Sequence, residues 1–314
     1  MKNMIKKTPV PIAGLMLALA ATGNMVQSYG SAYRTVFGTL SAGIFVLLVL
    51  KVIFHKNAVI QSLENPVVAS VAPTFSMGTM LLSTYVKPIF PRVALWLWSA
   101  SILMHVVLML WFTGKYLIGF QLKKVFPSYF IVYVGIVVAS VTAPAYGLKG
   151  LGMAIFWFGF IGYLCLLPIT IYRLIKHPNL PEPAIPTITI FAAPASLCLA
   201  GYLSSATNFS MNIFILLLSL SLLMFMGVLL YLPRMLQLKF YPSYSAFTFP
   251  FAISAIAMKK ALPIIMQTNF NTGFLQRFVV FQEIMTLIVV LYVFVRYMQF
   301  LSNADKVTES IKIS

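Results

Sequence analysis

YPSYSAFTFPFAISAIA, residues 241–257, decides how this chain folds. Pro242 opens an apolar run, and Pro250 follows eight residues later within it. A proline in the first helical turn sacrifices no hydrogen bond, because the N–H it lacks has no partner there. A proline deeper in removes a donor and clashes with the carbonyl four residues back, so the helix bends. Eight residues rise about 12 Å, close to the middle of a hydrocarbon layer of ~30 Å. The stretch therefore predicts a membrane helix bent near the bilayer midplane.

Working outward, the same beat recurs. Pro127 precedes Gly135 by eight residues and Pro186 precedes Pro194 by eight. Pro66 precedes Pro73 by seven, and Pro9 precedes Gly14 by five. The breakers Gly14, Pro73, Gly135, Pro194 and Pro250 are spaced 59, 62, 59 and 56 residues apart. Each lies in an odd-numbered member of ten apolar segments: 9–28, 33–54, 67–86, 90–112, 128–146, 150–174, 186–206, 209–232, 243–262 and 272–299. At about 1.5 Å per residue, each is long enough to span the bilayer. The expected fold is all-α and integral to the membrane. Residues 1–314 form one domain of five hairpin repeats, about 1–60, 61–120, 121–180, 181–238 and 239–314, in a quasi-fivefold arrangement. Freed carbonyls at membrane depth are tolerated only inside protein or along a water-filled cavity. Five bends at matching depth thus predict an inner ring of kinked helices around a pore, with bulky even helices facing lipid. Glycine and proline also serve close packing in membrane helices, which is the competing reading of any single breaker.

Composition excludes the other classes. Of the 314 residues 61% are apolar and 9% charged, whereas a soluble domain carries about 25% charged residues. Cys165 and Cys198 lie in apolar runs and read as packing residues. No metal-ligand spacing, phosphate-binding glycine loop or Ser-His-Asp set is present, so neither an enzyme nor a cofactor or metal site is expected. The start, MKNMIKKTPVPIAGLMLALAATG, has the basic head and apolar middle of a signal peptide. Its removal would leave nine spans and break the pairing, so it is read as the first span.

The 22 Lys and Arg face only five acids. In a soluble protein such a surplus suggests nucleic acid, but here it is scattered over short loops, with no basic domain to hold a duplex. Seven of the 22 (Arg34, Lys87, Arg92, Lys149, Lys259, Lys260 and Arg277) fall on one side, and the other fifteen share the side of the termini. The positive-inside rule then puts both termini in the cytoplasm, with the chain in the cell's inner membrane. The surplus suits topology and anionic lipid headgroups, and it also suits pore mouths that attract anions.

The odd spans carry no charge before Lys259 and Lys260, at the outer end of the ninth. Small and hydroxyl residues recur there, among them Thr74, Ser140, Ser196 and Thr248, which suit either a pore lining or a close-packing face. His105 and Glu283 are titratable groups deep in even spans. They read either as hydrogen bonds between helices or as a proton site.

The A-F-T-F-P run at Ala246–Pro250 resembles the ninth helix of bacterial TehA proteins and plant slow-type anion channels, the voltage-dependent anion channel and dicarboxylate transporter family. PSYF at Pro127–Phe130 with Val134-Gly135, APAS at Ala193–Ser196, and the opening PVPIAGLMLAL are similar to that family's fifth, seventh and first helices. The resemblance implies a homotrimer, each protomer with its own five-helix pore, and a phenylalanine plug on the ninth helix. The matching residue is Phe249. Bacterial relatives often carry glycine after this phenylalanine, where this chain has Pro250. The first helix has Met16 where a proline often stands. The expected function is a channel or facilitator for small inorganic or organic anions. The rival is a proton-coupled carrier of malate-like dicarboxylates, or a tellurite-resistance exporter.

Overall fold

The computed structural model describes residues 2–267 and 272–313, with side chains described over 4–267 and 272–302. The side chains of Lys2, Lys306 and Lys312, which count in the charge bias, lie outside the described residues. Among the described residues the fold is entirely helical. Among the described residues, nine helical segments are long and apolar enough to cross a membrane. They are α2 (Ser31–Phe54), α3 (Pro66–Val86), α4 (Pro91–Tyr116), α5 (Tyr129–Tyr146), α6 (Lys149–Lys176), α7 (Glu182–Ser205), α8 (Met211–Met235), α9 (Pro242–Ile265) and α10, whose membrane portion is Gly273–Ser302. Before them comes α1 (Ile12–Val26). Its 15 residues rise only about 22 Å, shorter than the span expected over 9–28. A turn at residues 10–11 leads into it, and a 3-10 turn, Gln27–Tyr29, extends it.

Burial separates two kinds of helix. In the most apolar windows of α3, α5, α7 and α9, 61–89% of residues are buried, against 28–39% in the even helices. All of α1 except Asn24 is buried. The even helices instead leave large apolar side chains exposed, such as Trp96, Leu103, Ile161 and Leu230. An apolar exposed surface of this kind is matched to lipid and would be costly in water.

The contacts close on themselves. α1 packs on α3, α3 on α5, α5 on α7, α7 on α9, and α9 back on α1. Each even helix packs on the odd helix before it, and also on the next one: α2 on α3, α4 on α5, α6 on α7, α8 on α9, and α10 on α1.

The breakers act differently from a bend in the middle of an α-helix. In α7 a 3-10 stretch, Glu182–Phe191, gives way to an α segment, Ala192–Ser205. In α9 the 3-10 stretch Pro242–Phe247 gives way to Thr248–Ile265. Pro194 and Pro250 each stand third in the new α segment, and Pro73 immediately precedes Thr74–Val86. A helix's first N–H groups lack intrahelical acceptors, so these prolines sacrifice little. They restart a helix. Gly135 opens a short 3-10 stretch between Tyr129–Val134 and Val138–Thr142. In contrast, Pro168 and Pro233 sit inside the continuous α6 and α8.

Candidate functional site

Three cavities lie among the odd helices and share lining residues. The first, about 310 Å³, is built from the starts of these helices: Pro11, Pro66, Val71, Thr187, Pro242 and Ala246 are in its wall. The second is only about 30 Å³, and all five odd helices border it. Gly14 and Leu17 come from α1, Val71, Thr74 and Met77 from α3, and Ile131 from α5. Ile190 and Ala193 come from α7, and Ser245, Ala246, Phe249 and Pro250 from α9. The third, about 660 Å³, is built from the opposite ends and includes Leu81, Val138, Thr142, Phe249, Ile253, Lys259 and Lys260. Val71 and Ala246 line both the first and second cavities, and Phe249 lines both the second and third.

The middle cavity is therefore a waist between two vestibules. A cavity needs about 10–15 Å³ to admit one water, so this one has room for no more than about two. Its wall carries no charge, and the hydroxyl of Thr74 is turned to the carbonyl of Val71 at 2.7 Å. Phe249 is 7% exposed and stands directly before Pro250, in the first turn of the restarted helix. The 3-10 stretch before it sets that position, because it brings α9 against α1. A Cβ at Gly14 would meet Cβ of Ser245 at 3.0 Å.

Gly14, Thr74, Phe249 and Pro250 thus meet at the waist, while Lys259 and Lys260 line the large vestibule. Pro73, Gly135, Ser140, Pro194, Ser196 and Thr248 line none of the three cavities. The Ser196 hydroxyl joins those of Ser221 and Ser254, at 2.8 and 2.9 Å, tying α7 to α8 and α9. Thr248 donates to the Ser245 carbonyl. The Ser140 carbonyl accepts from Ser205. Gly135 lies against Met77 and His105.

The two candidate proton groups are apart from the waist. His105 is fully buried, with Nε2 3.1 Å from the Val132 carbonyl and Nδ1 2.8 Å from Ser76 Oγ. It ties α4 to α5 and α3. Glu283 on α10 accepts from Lys259 and from the Tyr29 hydroxyl, both at 2.6 Å. The hydrogen bond to Glu283 raises the pKa of Tyr29, which keeps the phenol a donor. Among the described residues no three His, Cys, Asp or Glu gather as a metal site.

Charge in the large vestibule has one sign. Arg34, Lys259 and Lys260 line it, and no carboxylate does. Arg34 is one of the seven basic residues of the outer side, and its sequence position gives no sign that it reaches a mouth. It belongs to the start of an even helix, and only the packing of α2 on α1 and α3 brings it to the cavity.

The family model for SLAC1, voltage-dependent anion channel, matches residues 10–298 of the chain. None of the curated proteins compared with it matches.

Proposed function

The chain belongs to the voltage-dependent anion channel family, and from that premise we propose that it conducts small anions through the waist, with Phe249 as the gate. The observation that carries this reading is the 30 Å³ cavity bordered by all five odd helices, with Phe249 between it and the large vestibule. A bulky apolar side chain in a narrow uncharged passage excludes water and makes ion entry costly. Basic residues on the large vestibule raise the local concentration of anions.

In this reading α1 is the tenth span, and the five hairpins form one quasi-fivefold domain. The closed circuit of contacts and the burial of α1 support it. The protomer assembles as a homotrimer, as the family resemblance implies. Both termini face the cytoplasm of a cell whose inner membrane holds the protein, and lipid headgroups meet the basic loops.

Ion replacement tests the function. In bilayers containing the purified protein, the reversal potential is expected to follow the chloride gradient and to ignore a potassium gradient. A reversal potential that tracks potassium, or no current under any gradient, contradicts it. A proton-coupled carrier would instead show saturable uptake abolished by Glu283→Gln.

A further inference from the structure

The large vestibule contains one basic side chain that the fold holds in place and one that it leaves free. Arg34 donates from Nε to Asn24 Oδ1 at 2.9 Å and from Nη2 to the Thr84 carbonyl at 3.1 Å. Its guanidinium lies 4.2 Å from the centre of the Tyr85 ring. Tyr85 is itself wedged, because a Cβ at Gly23 would fall 2.3 Å from its hydroxyl, and one at Gly38 would fall 2.4 Å from its ring. Its hydroxyl donates to the Ala20 carbonyl at 2.6 Å. The fork of Arg34 is thus fixed by α1 and α3, and Nη1 keeps its N–H donors without a partner among the described residues.

Lys260, on the same cavity wall, makes no hydrogen bond or ion pair among the described residues. Lys259 differs. Its amine donates to Glu283, Ser28 Oγ and the Met25 carbonyl, at 2.6, 2.7 and 3.1 Å. Glu283 thereby cancels one of the vestibule's three positive charges, and its side chain is only 5% exposed.

We propose that Arg34 and Lys260 form an anion-binding site in the large vestibule, taking a small oxyanion of the carboxylate or nitrate kind, and that Glu283 sets the strength of this site by neutralising Lys259. The proposal deepens the channel reading and rests on it. A preorganised guanidinium with free N–H donors suits planar oxygen acceptors. The Lys260 ammonium, on the wall of the same cavity, adds attraction without fixing geometry.

Nitrate is the probe, used in two assays. In the Phe249→Ala background, the nitrate concentration giving half-maximal current is expected to rise about fivefold in Arg34→Gln and about threefold in Lys260→Gln. Glu283→Gln is expected to lower it about threefold at low ionic strength. That last effect should vanish near 1 M salt, where screening acts within ~3 Å. Independently of conduction, nitrate is expected to raise the unfolding temperature of the detergent-purified wild-type chain, and to raise it less in Lys260→Gln. The Lys260 amine makes no hydrogen bond or ion pair among the described residues, so that variant is expected to fold. Half-saturation unchanged in both Arg34→Gln and Lys260→Gln overturns the site, as does a nitrate shift that Lys260→Gln retains in full. If Phe249→Ala passes no current while nitrate still stabilises through Lys260, the channel reading fails and the site stands. If current flows and no variant alters saturation, the reverse holds.

Discussion

Phe249→Ala is expected to raise anion current through reconstituted protein by on the order of tenfold or more. A barrier lower by only ~1.4 kcal/mol already gives about tenfold. Removing the phenyl ring joins the 30 Å³ waist to the 660 Å³ vestibule across an uncharged wall, and a wetted passage loses the main penalty on an ion. The folded state should tolerate the change. Phe→Ala in a close-packed core costs about 3–5 kcal/mol, but here the ring borders space on two sides, so the loss falls at or below the lower end. Phe249→Leu should give an intermediate current and Phe249→Trp none. Current measured beside unfolding temperature separates gating from damage. An unchanged current from a well-folded Phe249→Ala protein counts against the gate.

His105→Ala is expected to show the opposite pattern, a loss of stability with little change in conduction per folded molecule. Nε2–H donates to the Val132 carbonyl, and Nδ1 lies 2.8 Å from the Ser76 hydroxyl, which also reaches the Pro73 carbonyl at 2.7 Å. Val132 lies in the last turn before the Gly135 break, where helical carbonyls run short of partners. Each lost hydrogen bond costs about 1 kcal/mol, and a buried acceptor left without a donor costs about 1–3 more. We expect about 3 kcal/mol, read as a lower unfolding temperature in detergent. A stable His105→Ala protein that loses pH-dependent transport would instead revive the proton-carrier reading.

Much of this architecture can be read from residue order. The prolines and glycines at a spacing near sixty mark the odd helices, and these are the buried ones. Gly14 and Pro250 belong to that pattern and border the waist, as do Thr74, one of the recurring hydroxyl residues, and Phe249, in the AFTFP run. What the pattern leaves out has physical causes. Ala192–Ser205 is small or apolar on every face and almost wholly buried, so periodicity cannot tell whether Ser196 faces a lumen or a neighbour. The neighbour has it, through Ser221 and Ser254. A proline's effect depends on its position in a helix, and that position follows from the 3-10 stretches, which have no strong signature. Pro168, inside a continuous α6, resembles Pro194 in its apolar surroundings and breaks nothing. Arg34 reads as an ordinary loop charge, because its place on the vestibule depends on three helices packing together.

The most direct test asks whether Phe249 separates the two spaces that it borders. In a background with Cys165 and Cys198, both free thiols, replaced by Ser and Ala, Thr74→Cys places a thiol at the waist. A charged, membrane-impermeant thiol reagent is then applied from the side of Lys259 and Lys260. We predict no modification while Phe249 is present, and rapid modification with loss of anion current once Phe249→Ala is added. Equal reactivity with and without the phenyl ring, or none in either protein, would contradict a passage closed at Phe249.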